Sequence, residues 1–328
     1  MNYEKSSVLL DKIRSANKIV INCHKSPDPD CVGSALSLKR VIEENFQKHV
    51  DVICPDDVPE ETKFLSGAQT VKTVLFSQVN FNDYDLFLIV DTSNWDRVDE
   101  TREFKHPGIF TFVIDNHKSN NGFGDENLLD FQSSSVCEML FNIFDDWNVE
   151  IDIEIATCIY AGILGDTGIF QYEIYKNTFD IASKLVLSGV NYEEVIFHLF
   201  KTKPLSLLKH WGQILLAMNI DDVHHFVWSA LDLETIKKNG FTPGITKSAS
   251  THFAPIVDGT DFGIIMLQSP EGDLNVSMRS RTDFDVSQIA VELGGGGHAA
   301  AAGTTIKGLF FNDAVEKVLT VARKYAKQ

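Results

Sequence analysis

Short apolar runs at 18 to 23, 49 to 54, 86 to 91 and 110 to 115 predict strands, and 3 to 16, 32 to 46, 134 to 147 and 152 to 164 carry the spacing of helices. Strand alternating with helix predicts a mainly parallel sheet flanked by helices. From Thr178 to Asn219 the period is helical: Phe179, Ala182, Leu185 and Val186 share a face, as do Val195, Ile196 and Leu199. Pro204 interrupts it before a further helix from Leu205 to Met218. Strand-like runs follow at 224 to 230, 262 to 268 and 273 to 279, then an amphipathic helix near 285 to 293, a glycine tract, a strand at 304 to 306 and a last helix from Asn312. The pattern predicts an α/β chain in three parts: a parallel-sheet domain over 1–188, a helical linker over 189–219, and a smaller α+β domain over 220–328.

Four polar segments break this pattern at the ends of apolar runs, where ligands bind an α/β sheet. They are His24-Lys25-Ser26-Pro27-Asp28-Pro29-Asp30, Val90-Asp91-Thr92, Ile114-Asp115-Asn116-His117 and Gly165-Asp166-Thr167-Gly168. All four are read as strand ends, although the run before Asp166 also falls inside the helical span 152 to 164. Any one Asp here is an ordinary turn former or helix cap. Four such segments meeting at one sheet edge would repel each other, and the grouping calls for a cation. Carboxylates with one or two imidazoles, and no nearby thiolate pair, suit Mn²⁺ or Mg²⁺ better than structural Zn²⁺.

These residues resemble the DHH phosphoesterases with a C-terminal DHHA1 domain, a family of nano-RNases (oligoribonucleases), pAp phosphatases and cyclic-dinucleotide phosphodiesterases. The first motif matches as His24, Asp28, Asp30, Gly33 and Ser34, the second as Asp91, and the fourth as Asp166 within residues 160–168. The C-terminal signature matches as Gly294 to Gly297 with His298, followed by Ala301-Ala302-Gly303. The resemblance implies two divalent cations, Mn²⁺ first with Mg²⁺ or Co²⁺ as alternatives. His24, Asp28 and Asp91 would hold one, and Asp30, Asp91 and Asp166 the other. It also implies attack on phosphorus by a hydroxide bridging the cations, with Asp91 and His117 as the catalytic pair. The motif Asp-His-His reads Asp115-Asn116-His117 here, so Asn116 stands where a ligand His is expected. A neutral amide oxygen coordinates hard cations but lacks a basic nitrogen, which predicts a weak second site or a changed metal preference.

The glycine tract has a chemistry of its own. Four successive glycines are costly in backbone entropy, and they suit a chain that approaches a ligand closely and offers N–H groups to an anion. Arg279, in Val276-Ser277-Met278-Arg279-Ser280, is a natural phosphate partner through its bidentate fork. By resemblance, His117, Asn120, Arg279, Gly295, Gly296, Gly297 and His298 contact substrate, with Asn120 in a supporting role. Glu138 matches a family position as well, and a buried or capping acid explains it equally. Arg97 would pair with a site carboxylate or, more simply, with a surface acid.

Composition narrows the substrate. The formal net charge is −17, from 46 acidic residues against 29 Lys plus Arg, which disfavours long duplex nucleic acid and still admits a small anion held by cations and local donors. The five cysteines are odd in number, form no CxxC pair and read as reduced core residues. No stretch resembles a signal peptide, and none reaches the ~18 apolar residues of a membrane span, so the cytoplasm is the default. A cleft between the lobes would measure a short span. That favours di- to pentanucleotides or adenosine 3',5'-bisphosphate (pAp), with cyclic or linear dinucleotides second. A nucleotide-binding sensor impaired by Asn116 is the alternative, and a homodimer is left open.

Overall fold

The structure, a computed structural model, describes residues 2–98, 106–172, 174–238 and 247–326. The chain divides into two compact units, residues 1–202 and 203–328.

In the first unit the elements run α1 (Lys5–Ser15), β1 (Lys18–Asn22), α2 (Pro29–Phe46), β2 (His49–Cys54), β3 (Lys72–Thr73), β4 (Leu86–Val90), α3 (Trp95–Val98), β5 (Phe110–Asp115) and β6 (Glu126–Leu129). Four helices follow: α4 (Val136–Asp146), α5 (Ile153–Asp166), α6 (Thr178–Leu187) and α7 (Tyr192–Phe200). Among the described residues of this unit every strand pairing is parallel, in the order β3-β2-β1-β4-β5-β6. The apolar strands bury both faces, as parallel strands covered on two sides must. Ile19, Ile21, Leu86, Leu88 and Val90 join the core under the helices. The alternate residues Val20, Phe87 and Ile89 meet Phe76, Phe81 and Val98 on the other face.

The second unit holds α8 (Leu205–Leu216), β7 (Met218–Asp221), β8 (Phe226–Leu231), α9 (Leu233–Lys238), α10 (Lys247–Phe253), β9 (Phe262–Gln268), β10 (Leu274–Ser280), α11 (Ser287–Glu292), β11 (Gly296–Gly297), β12 (Ala301–Ile306) and α12 (Phe311–Tyr325). Its sheet runs β11-β12-β10-β9-β8-β7, antiparallel except where β8 meets β9. Ile264 and Met266 face the core with α11 and α12, while Ile265 and Leu267 face Ile214, Ile236 and Ala249.

Several expectations change. The helix expected from 32 begins at Pro29, because Asp28 is its N-cap and accepts the Cys31 amide at 3.0 Å, and proline suits a first helical position where no N–H is needed. Asp30 therefore lies in the first helical turn. Asp166 does not end a strand: it is the last residue of the helix α5. The helical stretch from 189 to 219 is shared between the units, with Val195 and Leu199 of α7 in the first core and Ile214 of α8 in the second. Its last two residues open β7. The short strands β3, β6, β7 and β11 carry too few apolar positions to show as runs.

Candidate metal centre

With the order 3-2-1-4-5-6, the sheet reverses its winding between β1 and β4, and the chain leaves both strands at neighbouring carboxyl ends. Asn22, fully buried at the end of β1, fastens this point: its Oδ1 accepts the Val90 amide at 2.9 Å and its Nδ2 donates to Thr92 Oγ1 at 3.1 Å. Asp91 follows β4 with φ +52, a left-handed conformation that Asp tolerates better than most residues. His24 follows β1. Its Nδ1 is 2.8 Å from the Lys25 carbonyl oxygen, a contact made by Nδ1–H, which leaves Nε2 facing Asp91 Oδ2 at 3.2 Å and Asp28 Oδ2 at 3.7 Å.

The next strand supplies the third group. Asp115, fully buried at the end of β5, accepts from His117 Nδ1 at 2.8 Å and from Asn120 Nδ2 at 2.7 Å, and Asn120 reaches the Thr92 carbonyl at 3.3 Å. His117 Nδ1 also lies 3.6 Å from Asp91 Oδ1. Two helix ends complete the edge. Both oxygens of Asp30 accept amides at the start of α4, Val136 at 2.7 Å and Cys137 at 2.9 Å. Asp166 closes α5.

Among the described residues, three groups of side chains bring possible ligand atoms within 4.8 Å of one another: Asp30 with Asp91 and Asp166, Asp91 with Asp115 and His117, and His24 with Cys31 and Asp91. Asp91 belongs to all three, as a bridging ligand would. Burial, and then the negative charge of Asp28, pushes Asp30 up to about 7, although the Cys137 and Val136 amides pull the other way. Burial and neighbouring acids hold Asp91 and Asp166 well above the usual carboxylate range. The hydrogen bond to Asp115 raises His117 to about 9. Arg97 adds positive charge near Asp28 and His117.

A divalent cation fits this donor set. Asp91 Oδ1 and Asn116 Oδ1 are buried and have no hydrogen-bond partner among the described residues, which is costly for groups of this kind unless something else satisfies them. Asn116 donates its Nδ2 to the Ser133 carbonyl at 3.2 Å, and that bond fixes the amide. Asn116→His is therefore expected to tighten Mn²⁺ binding about 10-fold in isothermal titration. An unchanged affinity would remove position 116 from the ligand set.

Asp115, Asn22 and Cys31 escape the sequence reading. Asp115 stands inside a quoted motif, and a polar residue in the otherwise apolar run 19–22 is the available sign for Asn22. Glu138 is buried and satisfied by the hydroxyls of Ser134 at 2.5 Å and Thr178 at 2.7 Å, which is a structural role. All five cysteines are buried and unpaired.

In the second unit Arg279 pairs with Ala301 across β10 and β12, and its guanidinium donates to Thr251 Oγ1 at 3.1 Å and the Met278 carbonyl at 2.9 Å. His298 caps a tight turn, its amide donating to the Ala301 carbonyl at 2.8 Å. The glycine tract differs from a row of open amides. Gly294 (φ +82) and Gly295 donate to the Val291 and Ala290 carbonyls and so close α11, while Gly296 and Gly297 pair with β12. A Cβ at Gly297 would lie 2.5 Å from Ala302 Cα, so close strand approach accounts for this glycine.

The family model described as the DHH family, N-terminal domain, matches residues 18–163, and that of the DHHA1 domain matches residues 226–328. The chain is similar to a probable bifunctional oligoribonuclease and PAP phosphatase NrnA of Streptococcus mutans, at 28% identity over 95% of this chain and 96% of that protein. It is also similar to a bifunctional oligoribonuclease and PAP phosphatase NrnA of Thermus thermophilus, at 27% identity over 98% and 94%. A cyclic-di-AMP phosphodiesterase PdeA of Listeria monocytogenes is 23% identical over 98% of this chain and 50% of that protein. Among solved structures, an exopolyphosphatase-related protein from Bacteroides fragilis aligns with TM-score 0.89 at 25% identity over 98% of this chain and 96% of that one. With both family domains in order along the chain and the carboxylate cluster at the switch of its parallel sheet, this protein belongs to the DHH/DHHA1 family of phosphoesterases.

Proposed function

We propose that this phosphoesterase hydrolyses short oligonucleotides to mononucleotides, or removes the 3'-phosphate of pAp, using two divalent cations, Mn²⁺ foremost. The observation that carries the reading is the cluster of the buried Asp30 and Asp91 with the half-buried Asp166, whose acids cannot all ionise together without a counter-charge. His24, Asp28 and Asp91 would hold one cation, and Asp30, Asp91 and Asp166 the other, with Asn116 as a weak ligand. Bound there, the cations would supply a hydroxide at neutral pH and neutralise phosphoryl charge.

The chain's own groups do the rest. Asp115 orients His117 through Nδ1 and favours its imidazolium form, leaving the other ring N–H to donate to a phosphoryl or leaving oxygen. Asn120 in turn fixes Asp115. Asn22 ties the two loops that carry His24 and Asp91. In the second unit, Arg279 and His298 are proposed as phosphate donors, with Gly295, Gly296 and Gly297 shaping the chain beside them. A chain of net charge −17 suits small substrates better than polymers, and the cytoplasm is the proposed location.

The test is a substrate panel in Mn²⁺: RNA of two to five nucleotides, pAp, cyclic di-AMP and a long duplex. Mononucleotides from the short RNA or phosphate from pAp are expected. Selective cleavage of cyclic di-AMP would assign the chain to the alternative suggested by the PdeA likeness.

A further inference from the structure

We propose that Cys31 Sγ is a ligand of the cation held by His24 and Asp91, and that this subsite takes thiophilic divalent cations such as Co²⁺ or Zn²⁺ in preference to Mg²⁺. The inference rests on the metal-site reading above and departs from the reading of the five cysteines as reduced core residues.

A ring nitrogen of His24, the sulfur of Cys31 and a carboxylate oxygen of Asp91 lie within 4.8 Å of one another. A single cation with bonds of ~2.0–2.3 Å spans such a set after a small side-chain adjustment. All three residues are at most 1% exposed, which holds the side chains in place within the packed sheet edge. Asp91 presents Oδ2 to His24 Nε2 at 3.2 Å, and its Oδ1, 3.6 Å from His117 Nδ1, is buried without a hydrogen-bond partner among the described residues, so the carboxylate keeps unused acceptor capacity. The other contacts suit a ligand sulfur. The His24 amide donates to Cys31 Sγ at 3.2 Å, a bond that orients a sulfur and favours negative charge on it. Cys31 also sits in the first turn of the 18-residue helix α2, where the helix end favours an anion. With His24 Nδ1 occupied by the Lys25 carbonyl, the imidazole is already turned to coordinate through Nε2. A thiolate in such a set raises affinity for softer ions and does little for Mg²⁺.

The experiment adds cobalt chloride to the full chain after chelation, in reducing buffer, and records its absorption. The wild type is expected to show visible ligand-field bands together with a near-ultraviolet sulfur-to-cobalt band. Cys31→Ser is expected to keep the first, lose the second and bind Co²⁺ at least ~10-fold more weakly, with Mn²⁺ affinity changed less. Cys137→Ser should keep both bands. Ligand-field bands without the near-ultraviolet band in the wild type, or a near-ultraviolet band surviving in Cys31→Ser, would overturn the proposal and leave the metal site standing. Absence of any cobalt binding would overturn both. X-ray absorption of the cobalt-loaded wild type answers the same question should Cys31→Ser not fold: a sulfur scatterer at about 2.3 Å is expected, and nitrogen and oxygen scatterers alone refute it.

Discussion

Asp91→Asn is expected to lower phosphoester turnover by about 10³-fold or more, roughly 4 kcal/mol of lost transition-state stabilisation, while the protein stays folded. Asp91 contributes to all three ligand groups, so its loss weakens every cation position at once. Asn is the informative replacement because it tolerates the left-handed backbone that φ +52 imposes, whereas Ala would add strain to the chemical change. Folding should not suffer. Asp91 is an acid held against burial and against the charges of Asp28 and Asp30, so neutralising it relieves repulsion, and EDTA-treated Asp91→Asn should melt at or above the wild-type temperature. The same cluster sets a pH dependence. Asp30, pushed up to about 7 from an ordinary value near 4, favours the folded chain in its protonated form. In EDTA that contribution is complete below pH ~4 and is lost as pH rises through 7, and Mn²⁺ should cancel the loss. Thermal melts across pH, with EDTA and with Mn²⁺, measure both effects; a collapse of Asp91→Asn in EDTA would contradict the account of the cluster.

Gly162→Ala carries the second large effect. A Cβ there would lie 2.7 Å from Asp30 Oδ1 and press on the Cys137 sulfur, where α5 packs against α2 and α4. Overpacking of this kind costs about 1–3 kcal/mol, and here it also pushes a carboxylate off the α4 amides that hold it. The expected result is a lower melting temperature together with Mn²⁺ affinity down about 10-fold. Gly212→Ala is the contrast: nothing lies within 4 Å of its added Cβ in α8, so it should be neutral or mildly stabilising. Equal destabilisation by the two would show that helix propensity and not the contact at Asp30 governs position 162.

These glycines also show where sequence reasoning stops. The strands β1, β4 and β5 were legible because nearly every residue in them is buried and most are apolar, and the polar segments that follow them stood out against that background. The motif residues His24, Asp91 and Asp166 do meet at one edge. Asp166 reaches it from a helix, since an apolar run in a mostly buried helix such as α5 looks like a buried strand over a few residues. Asp30's role depends on amides of Val136 and Cys137, more than 100 positions away, and no local pattern announces such a contact. Cys31 was hidden for another reason: a lone buried cysteine reads as core until its distance from His24 and Asp91 is known. In the second unit the glycine tract reads as a ligand loop until the carbonyls of α11 and the edge of β12 claim part of its backbone.

The most direct test of the metal-dependent phosphoesterase reading is release of AMP from 5'-labelled diadenylate by EDTA-treated protein, before and after Mn²⁺ is restored. The account predicts no product before and full release after, with Asp91→Asn silent in both. Undiminished release in EDTA, or tight binding of the dinucleotide without product in Mn²⁺, Mg²⁺ and Co²⁺ alike, would contradict it.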